Sequence, residues 1–69
     1  MIISDKIIYL RKKQGLTQDE LAEQLNISRQ SVSKWESATS IPDVTKIMAM
    51  ADLFSVPTGL FMSIGIGQL

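Results

Sequence analysis

Three residues, Asn26-Ile27-Ser28, separate two stretches of helical character, and so short a connection leaves the two helices little freedom in how they meet. The upstream stretch opens on Thr17-Gln18-Asp19-Glu20. This is a capping box: the Thr17 hydroxyl accepts from the Glu20 N–H and the Glu20 carboxylate reaches back. Its apolar face is Leu21, Ala22 and Leu25, and it stops at Asn26, a residue that tolerates the left-handed backbone. Ser28 caps the downstream stretch, Arg29 to Glu36, whose inward residues are Val32 and Trp35. The connection implies a steep crossing, and close approach at the crossing needs a small side chain. Ala22 supplies it.

The flanking chain reads as three more short helices. The first is expected from Asp5 to Gln14, with Ser4 as N-cap and Gly15 ending it through positive φ. Ile3, Ile7 and Leu10 form its core face with Ile8 nearby, and Lys12 and Lys13 suit the helix dipole in its last turn. Ser37-Ala38-Thr39-Ser40-Ile41-Pro42 is a loop by composition. Asp43 then caps a fourth helix whose expected inner stripe is Val44, Ile47, Met48, Ala51 and Phe54, with Lys46 and Asp52 outside it. Val56-Pro57 breaks that helix, and Thr58 caps a short fifth over Gly59 to Met62. No segment alternates with period two. The expected fold is all-α, one domain over residues 1–69, with its core over 4–62 and an apolar C-terminal tail over 63–69.

Composition narrows the function. A chain of 69 residues with no Cys and no His has no thiolate, no disulfide and no imidazole for metal binding or general-base catalysis. Asp19, Glu20 and Glu23 read as capping and solvated-face residues without a convergent partner, so no metal and no cofactor are expected. Hydrophobic residues make up 45% and charged residues 20%, the balance of a folded chain. These features argue against an enzyme and for a binding module. Lys+Arg (7) cancels Asp+Glu (7), so overall charge supplies no attraction to nucleic acid. Met1-Ile2-Ile3-Ser4-Asp5 is too short in apolar residues for a signal peptide, no window reaches membrane-span length, and the expected location is the cytoplasm.

A small residue, a turn residue that tolerates the left-handed backbone and a β-branched apolar residue at these intervals describe a helix-turn-helix, the unit that lays its second helix in the major groove of DNA. The chain resembles the lambda-repressor-like helix-turn-helix regulators of bacteria and their phages, the Cro and xenobiotic-response-element type. The resemblance rests on Leu10-Arg11, Gly15-Leu16-Thr17-Gln18, Glu20-Leu21-Ala22, Ser28 through Glu36 and Pro42-Asp43, and covers about residues 3 to 62. It implies that Arg29, Gln30 and Lys34 contact bases. The chemistry agrees, since Arg forks onto the two acceptors of guanine and Gln pairs with adenine. It also implies phosphate contacts from Gln18, beside a helix N-terminus, and from Ser28, Ser31 and Ser33. The matching Arg11 and Glu36 form an internal ion pair in the family, tying helix one to the end of helix three. Trp35, Met48, Ala51 and Phe54 read as core, and the Arg11-Lys12-Lys13 run as mainly solvated surface.

The chain departs from the family pattern after Glu36. Ala38 stands where a permissive glycine is common, which predicts a strained or altered turn. The same loop lacks Lys and Arg, which predicts weak, salt-sensitive DNA binding by a single chain. The C-terminal residues Ser63 to Leu69 are apolar and Gly-rich. Leu60, Phe61, Ile64 and Ile66 are therefore expected to present an apolar dimer interface to a second copy, the other reading being that Leu60, Phe61 and Met62 cap the core and the remainder frays. The resulting expectation is a bacterial or prophage regulator, a repressor acting by occlusion, that binds an inverted repeat in double-stranded DNA as a homodimer. The alternative is a protein-interaction module, such as an antitoxin-type partner, that uses the apolar C-terminal surface.

Overall fold

Four of the helices stop at a backbone feature that also sets the direction of the next. In the computed structural model, which describes residues 2–62, the order is α1 (Ile3–Lys13), α2 (Gln18–Leu25), α3 (Arg29–Glu36), α4 (Val44–Phe54) and α5 (Thr58–Met62). No strand occurs among the described residues. The fold is all-α, as expected.

The first four helices end alike. After α1, the Leu16 N–H donates to the Arg11 carbonyl and the Gly15 N–H to the Lys12 carbonyl, both at 3.0 Å, with Gly15 at φ +75°. The same pair of bonds closes α2 (Ile27 to Ala22, Asn26 to Glu23), α3 (Thr39 to Lys34, Ala38 to Trp35) and α4 (Val56 to Ala51, Ser55 to Asp52). This is the Schellman arrangement, and it needs one left-handed residue each time. Asn26, Ala38 and Ser55 fill that place at φ 58°, 62° and 57°. The residue that follows the left-handed one is Leu16, Ile27 or Val56 in three cases, each packed against the core. After α3 it is the exposed Thr39, whose hydroxyl instead pairs with that of Ser37 at 2.8 Å. The expected departure at Ala38 is thus a real left-handed alanine.

The core draws on every helix: Ile7 and Leu10 from α1, Leu21, Ala22 and Leu25 from α2, Val32 and Trp35 from α3, Ile47, Met50, Ala51 and Phe54 from α4, and Phe61 from α5. Three expectations are corrected. Helix α1 begins at Ile3 with Ile2 as an N-cap that makes no side-chain bond, so Ser4 does not cap but lies buried in the first turn. Helix α4 is rotated: Val44 and Met48 are exposed (57% and 54%) while Met50 is fully buried. At about 100° per residue, Met50 lies on the opposite flank of the Ile47–Ala51–Phe54 row from Val44 and Met48. Phe61, expected in a dimer interface, is 2% exposed and packs beside Phe54 with ring centroids 6.4 Å apart. Its neighbour Leu60 is 40% exposed, and Ile64 and Ile66 lie outside the described residues.

Polar side chains fasten the helices to one another. Arg11 donates from Nε to Glu36 Oε2 at 2.6 Å and from Nη2 to Glu36 Oε1 at 3.0 Å, with side-chain exposures of only 12% and 7%. Its Nη1 donates to the Leu16 carbonyl at 2.8 Å. The bidentate fork therefore ties α1 to the last residue of α3 and to the turn before α2. Lys46 of α4 donates to the Leu25 carbonyl at the end of α2 (3.2 Å), and the buried Lys6 of α1 donates to the Leu60 carbonyl of α5.

Two stability predictions follow from this geometry. Ala38→Gly is expected to stabilise the domain by about 1 kcal/mol, by removing the Cβ penalty at positive φ. That corresponds to a rise in Tm of about 4–8 °C for a chain of this size. An unchanged melt followed through Trp35 fluorescence would show that the turn carries no strain. Glu36→Ala is expected to cost about 3–5 kcal/mol, because it leaves the Arg11 charge nearly buried and unpaired. Urea unfolding measures this, and the double change Arg11→Met with Glu36→Leu should recover much of the loss. A loss below about 1 kcal/mol, typical of a surface pair, would refute the burial argument.

Candidate nucleic-acid interface

Helices α2 and α3 meet as the short turn requires. The Thr17 capping box forms in both directions, with the Glu20 N–H on Thr17 Oγ1 at 3.0 Å and the Thr17 N–H on Glu20 Oε1 at 2.8 Å. Ala22 is buried, and Asn26 makes the left-handed turn. Ser28 then caps α3, its Oγ accepting from the Ser31 N–H at 3.3 Å. Because Val32 and Trp35 turn inward, helical geometry leaves Arg29, Gln30 and Lys34 on the exposed side of α3. The three expected base-contacting residues thus share one helix and one exposed face, with Lys34 a turn beyond Gln30.

The expected phosphate donors are less uniform. Gln18 starts α2, but its Nε2 donates to Glu36 Oε1 at 3.0 Å, so this amide is part of the Arg11–Glu36 network. Ser28 and Ser31 bring their hydroxyl oxygens within 3.2 Å of each other, and Ser33 is half-buried on α3. At the far end of α3, Ser37 Oγ donates to the Lys34 carbonyl at 3.2 Å and orders the loop before Ala38.

The charges sort by burial. Of the seven Lys and Arg, Lys6, Arg11 and Lys46 are engaged inside the fold, which leaves Lys12 and Lys13 at the end of α1 and Arg29 and Lys34 on α3 exposed. Lys13 lies over the Tyr9 ring, 5.7 Å from its centroid. Arg29 Nε lies 3.8 Å from Asp19 Oδ1, a contact between α3 and the first turn of α2. That contact was not legible in the sequence, where Asp19 reads as a helix-start acid. Lys46 likewise reads as a solvated residue, and only the tertiary fold brings it to the end of α2. No group of three or more His, Cys, Asp or Glu among the described residues is placed to hold a metal ion. No described helix is long and apolar enough to cross a membrane.

Comparison with known proteins agrees with this geometry. A family model described as "Helix-turn-helix" matches residues 7–61. The HTH-type transcriptional activator BcrR of Enterococcus faecalis is 41% identical over 56 residues, which are 81% of this chain and 28% of BcrR. The HTH-type transcriptional regulator ImmR of Bacillus subtilis (strain 168) is 33% identical over 58 residues, covering 84% of this chain and 46% of ImmR. The chain thus spans less than half the length of these curated relatives. Among solved structures, the P22 c2 repressor in complex with a synthetic operator superposes with a TM-score of 0.82 at 20% identity, over 88% of this chain and 92% of that one. SinR, the master regulator for biofilm formation, in complex with DNA also gives 0.82, at 21% identity over 90% of this chain and all of that one. These two likenesses concern the fold. The family match takes in the whole of α2, α3 and the turn between them. The chain therefore belongs to the helix-turn-helix family, in its lambda-repressor-like branch.

Proposed function

We propose that the chain is a DNA-binding transcriptional regulator that reads duplex DNA by laying α3 in the major groove. One observation carries the reading: Arg29, Gln30 and Lys34 stand exposed on a helix whose other face, Val32 and Trp35, is locked in the core. A rigid helix with a polar outer row is the arrangement that base-edge recognition requires. The names of BcrR and ImmR, and the DNA in the P22 c2 repressor and SinR structures, support the same reading. They do not favour a module that only binds another protein. Arg29 would fork onto guanine and Gln30 pair with adenine, while Lys34 reaches a base or the adjacent phosphate. Ser33 and the first N–H groups of α2 supply phosphate contacts, with Ser28, Ser31 and Gln18 adding to them as far as their internal bonds allow.

The domain acting alone would regulate by occluding a promoter in the cytoplasm of a bacterium or in a prophage. BcrR, named an activator, is a longer protein of which the match covers 28%. Two copies would bind an inverted repeat with half-sites one turn of DNA apart. On this chain one described apolar surface for such a contact is Leu60 with Tyr9, beside Lys6 and Leu10, where they line one groove.

Selection from a randomised duplex pool at about 50 mM and about 150 mM salt tests the reading, since affinity falls steeply with salt when phosphates are neutralised. An enriched inverted repeat is expected, and no enrichment by folded protein at either salt would refute DNA reading. Arg29→Ala and Gln30→Ala should each relax one position per half-site at a cost of about 1–3 kcal/mol. For the dimer, Leu60→Asp is expected to abolish self-association with the fold retained. Phe61→Ser should instead cost stability on the scale of core truncations, about 3–5 kcal/mol. Sedimentation and a thermal melt separate the two outcomes, and a wild-type monomer on DNA would remove the dimer.

A further inference from the structure

Arg29 does not enter α3 as an unattended side chain. Its Nε lies 3.8 Å from Asp19 Oδ1, both side chains being largely exposed (61% and 77%), and the two residues line one shallow groove with Glu20, Glu23 and Asn26. The Glu20 carboxylate is already bonded to the Thr17 N–H. Asp19 is therefore the acid of that groove found within ion-pair distance of Arg29 among the described residues. Its position is set by the rigid first turn of α2, which the capping box fixes.

A guanidinium offers donors along two edges, one through Nε and the other through the paired terminal nitrogens. A carboxylate on the Nε side leaves the terminal fork for a second planar acceptor pair. We propose that Asp19 is a specificity-determining positioning residue, which holds Arg29 by its Nε edge so that the terminal fork meets O6 and N7 of guanine. The proposal rests on the reading of Arg29 as a base contact. The same carboxylate opposes nearby phosphates, which discourages Arg29 from turning to the DNA backbone and weakens binding to arbitrary sequence. Discrimination comes at the expense of raw affinity.

The test uses the whole chain in five forms: wild type, Asp19→Ala, Asp19→Glu, Arg29→Ala and the Asp19→Ala/Arg29→Ala double variant. Each is checked for folding by circular dichroism and equilibrated with the same randomised duplex pool, and bound and input DNA are sequenced. Asp19→Ala should lower the preference for guanine at the Arg29-dependent position by roughly two- to fivefold, the scale of an exposed ion pair. Total binding to the pool should rise. Asp19→Glu should restore part of the preference, and in the Arg29→Ala background Asp19→Ala should leave base preference at that position unchanged. If Asp19→Ala strengthens binding without altering preference, the carboxylate is only a repulsive charge and the proposal falls while DNA reading stands. If Arg29→Ala alters no base preference, the role given to Arg29 falls and that of Asp19 with it.

Discussion

The bidentate contact between Arg11 and Glu36 organises α3. Glu36 is the last residue of α3, and its carboxylate gathers Arg11 from α1 and Gln18 from the start of α2, while Arg11 also holds the Leu16 carbonyl. Three parts of the chain thus converge on the end of one eight-residue helix. Hydrophobic packing alone seats Val32 and Trp35 but has little direction, so it tolerates small rotations of α3 about its axis. A planar fork with two short bonds does not. Replacing such a pair by apolar side chains need not cost stability, which argues that its value here is orientation. Gln18 shows the economy of the arrangement: the amide that fixes the far end of α3 sits on the first residue of α2, beside N–H groups suited to a phosphate.

Much of this architecture could be read from the residues, because the signals were local. The capping box at Thr17 and Glu20, the left-handed Asn26, the Ser28 cap and the bounds of α3 each depend on side chains within a few positions of one another. The inner face of α4 was not legible for a definite reason. Val44, Ile47, Met48, Met50, Ala51, Leu53 and Phe54 make that helix apolar nearly all round, so the period does not choose a face. Packing chose Met50 and left Met48 outside. Ser4 had the chemistry of a cap, but the helix starts before it, with Ile3 against the core. Phe61 looked exposed because its surroundings are apolar and small, yet α5 folds it onto Phe54. In the candidate site, the polar row of α3 was visible from the motif. The company kept by Arg29 and Gln18 was not, since no local pattern links Asp19 to Arg29 or Gln18 to Glu36.

Placing the side chains does not turn a net charge of zero into a basic surface: exposed Lys12, Lys13, Arg29 and Lys34 stand against exposed Asp5, Asp19, Glu20, Glu23, Asp43 and Asp52. Lys6, Arg11 and Lys46 do internal structural duty, bonding a carboxylate or a helix-end carbonyl. Glu20 and Asp43 cap helices, and Glu36 is nearly buried. The exposed basic residues are local to α3 and the end of α1, so bulk composition is a poor guide to the field at the exposed face of α3.

The repeated helix ending has a consequence for how such a chain tolerates change. At each of the four ends the two closing bonds run between main-chain atoms, so nearly any side chain can be exchanged without deleting either of them. Glycine, asparagine, alanine and serine all occupy the same left-handed place. An insertion is different, because one added residue between donor and acceptor breaks the span that both bonds need and redirects every helix downstream. Loop identity can therefore drift over generations while loop length stays fixed, and shape outlasts sequence.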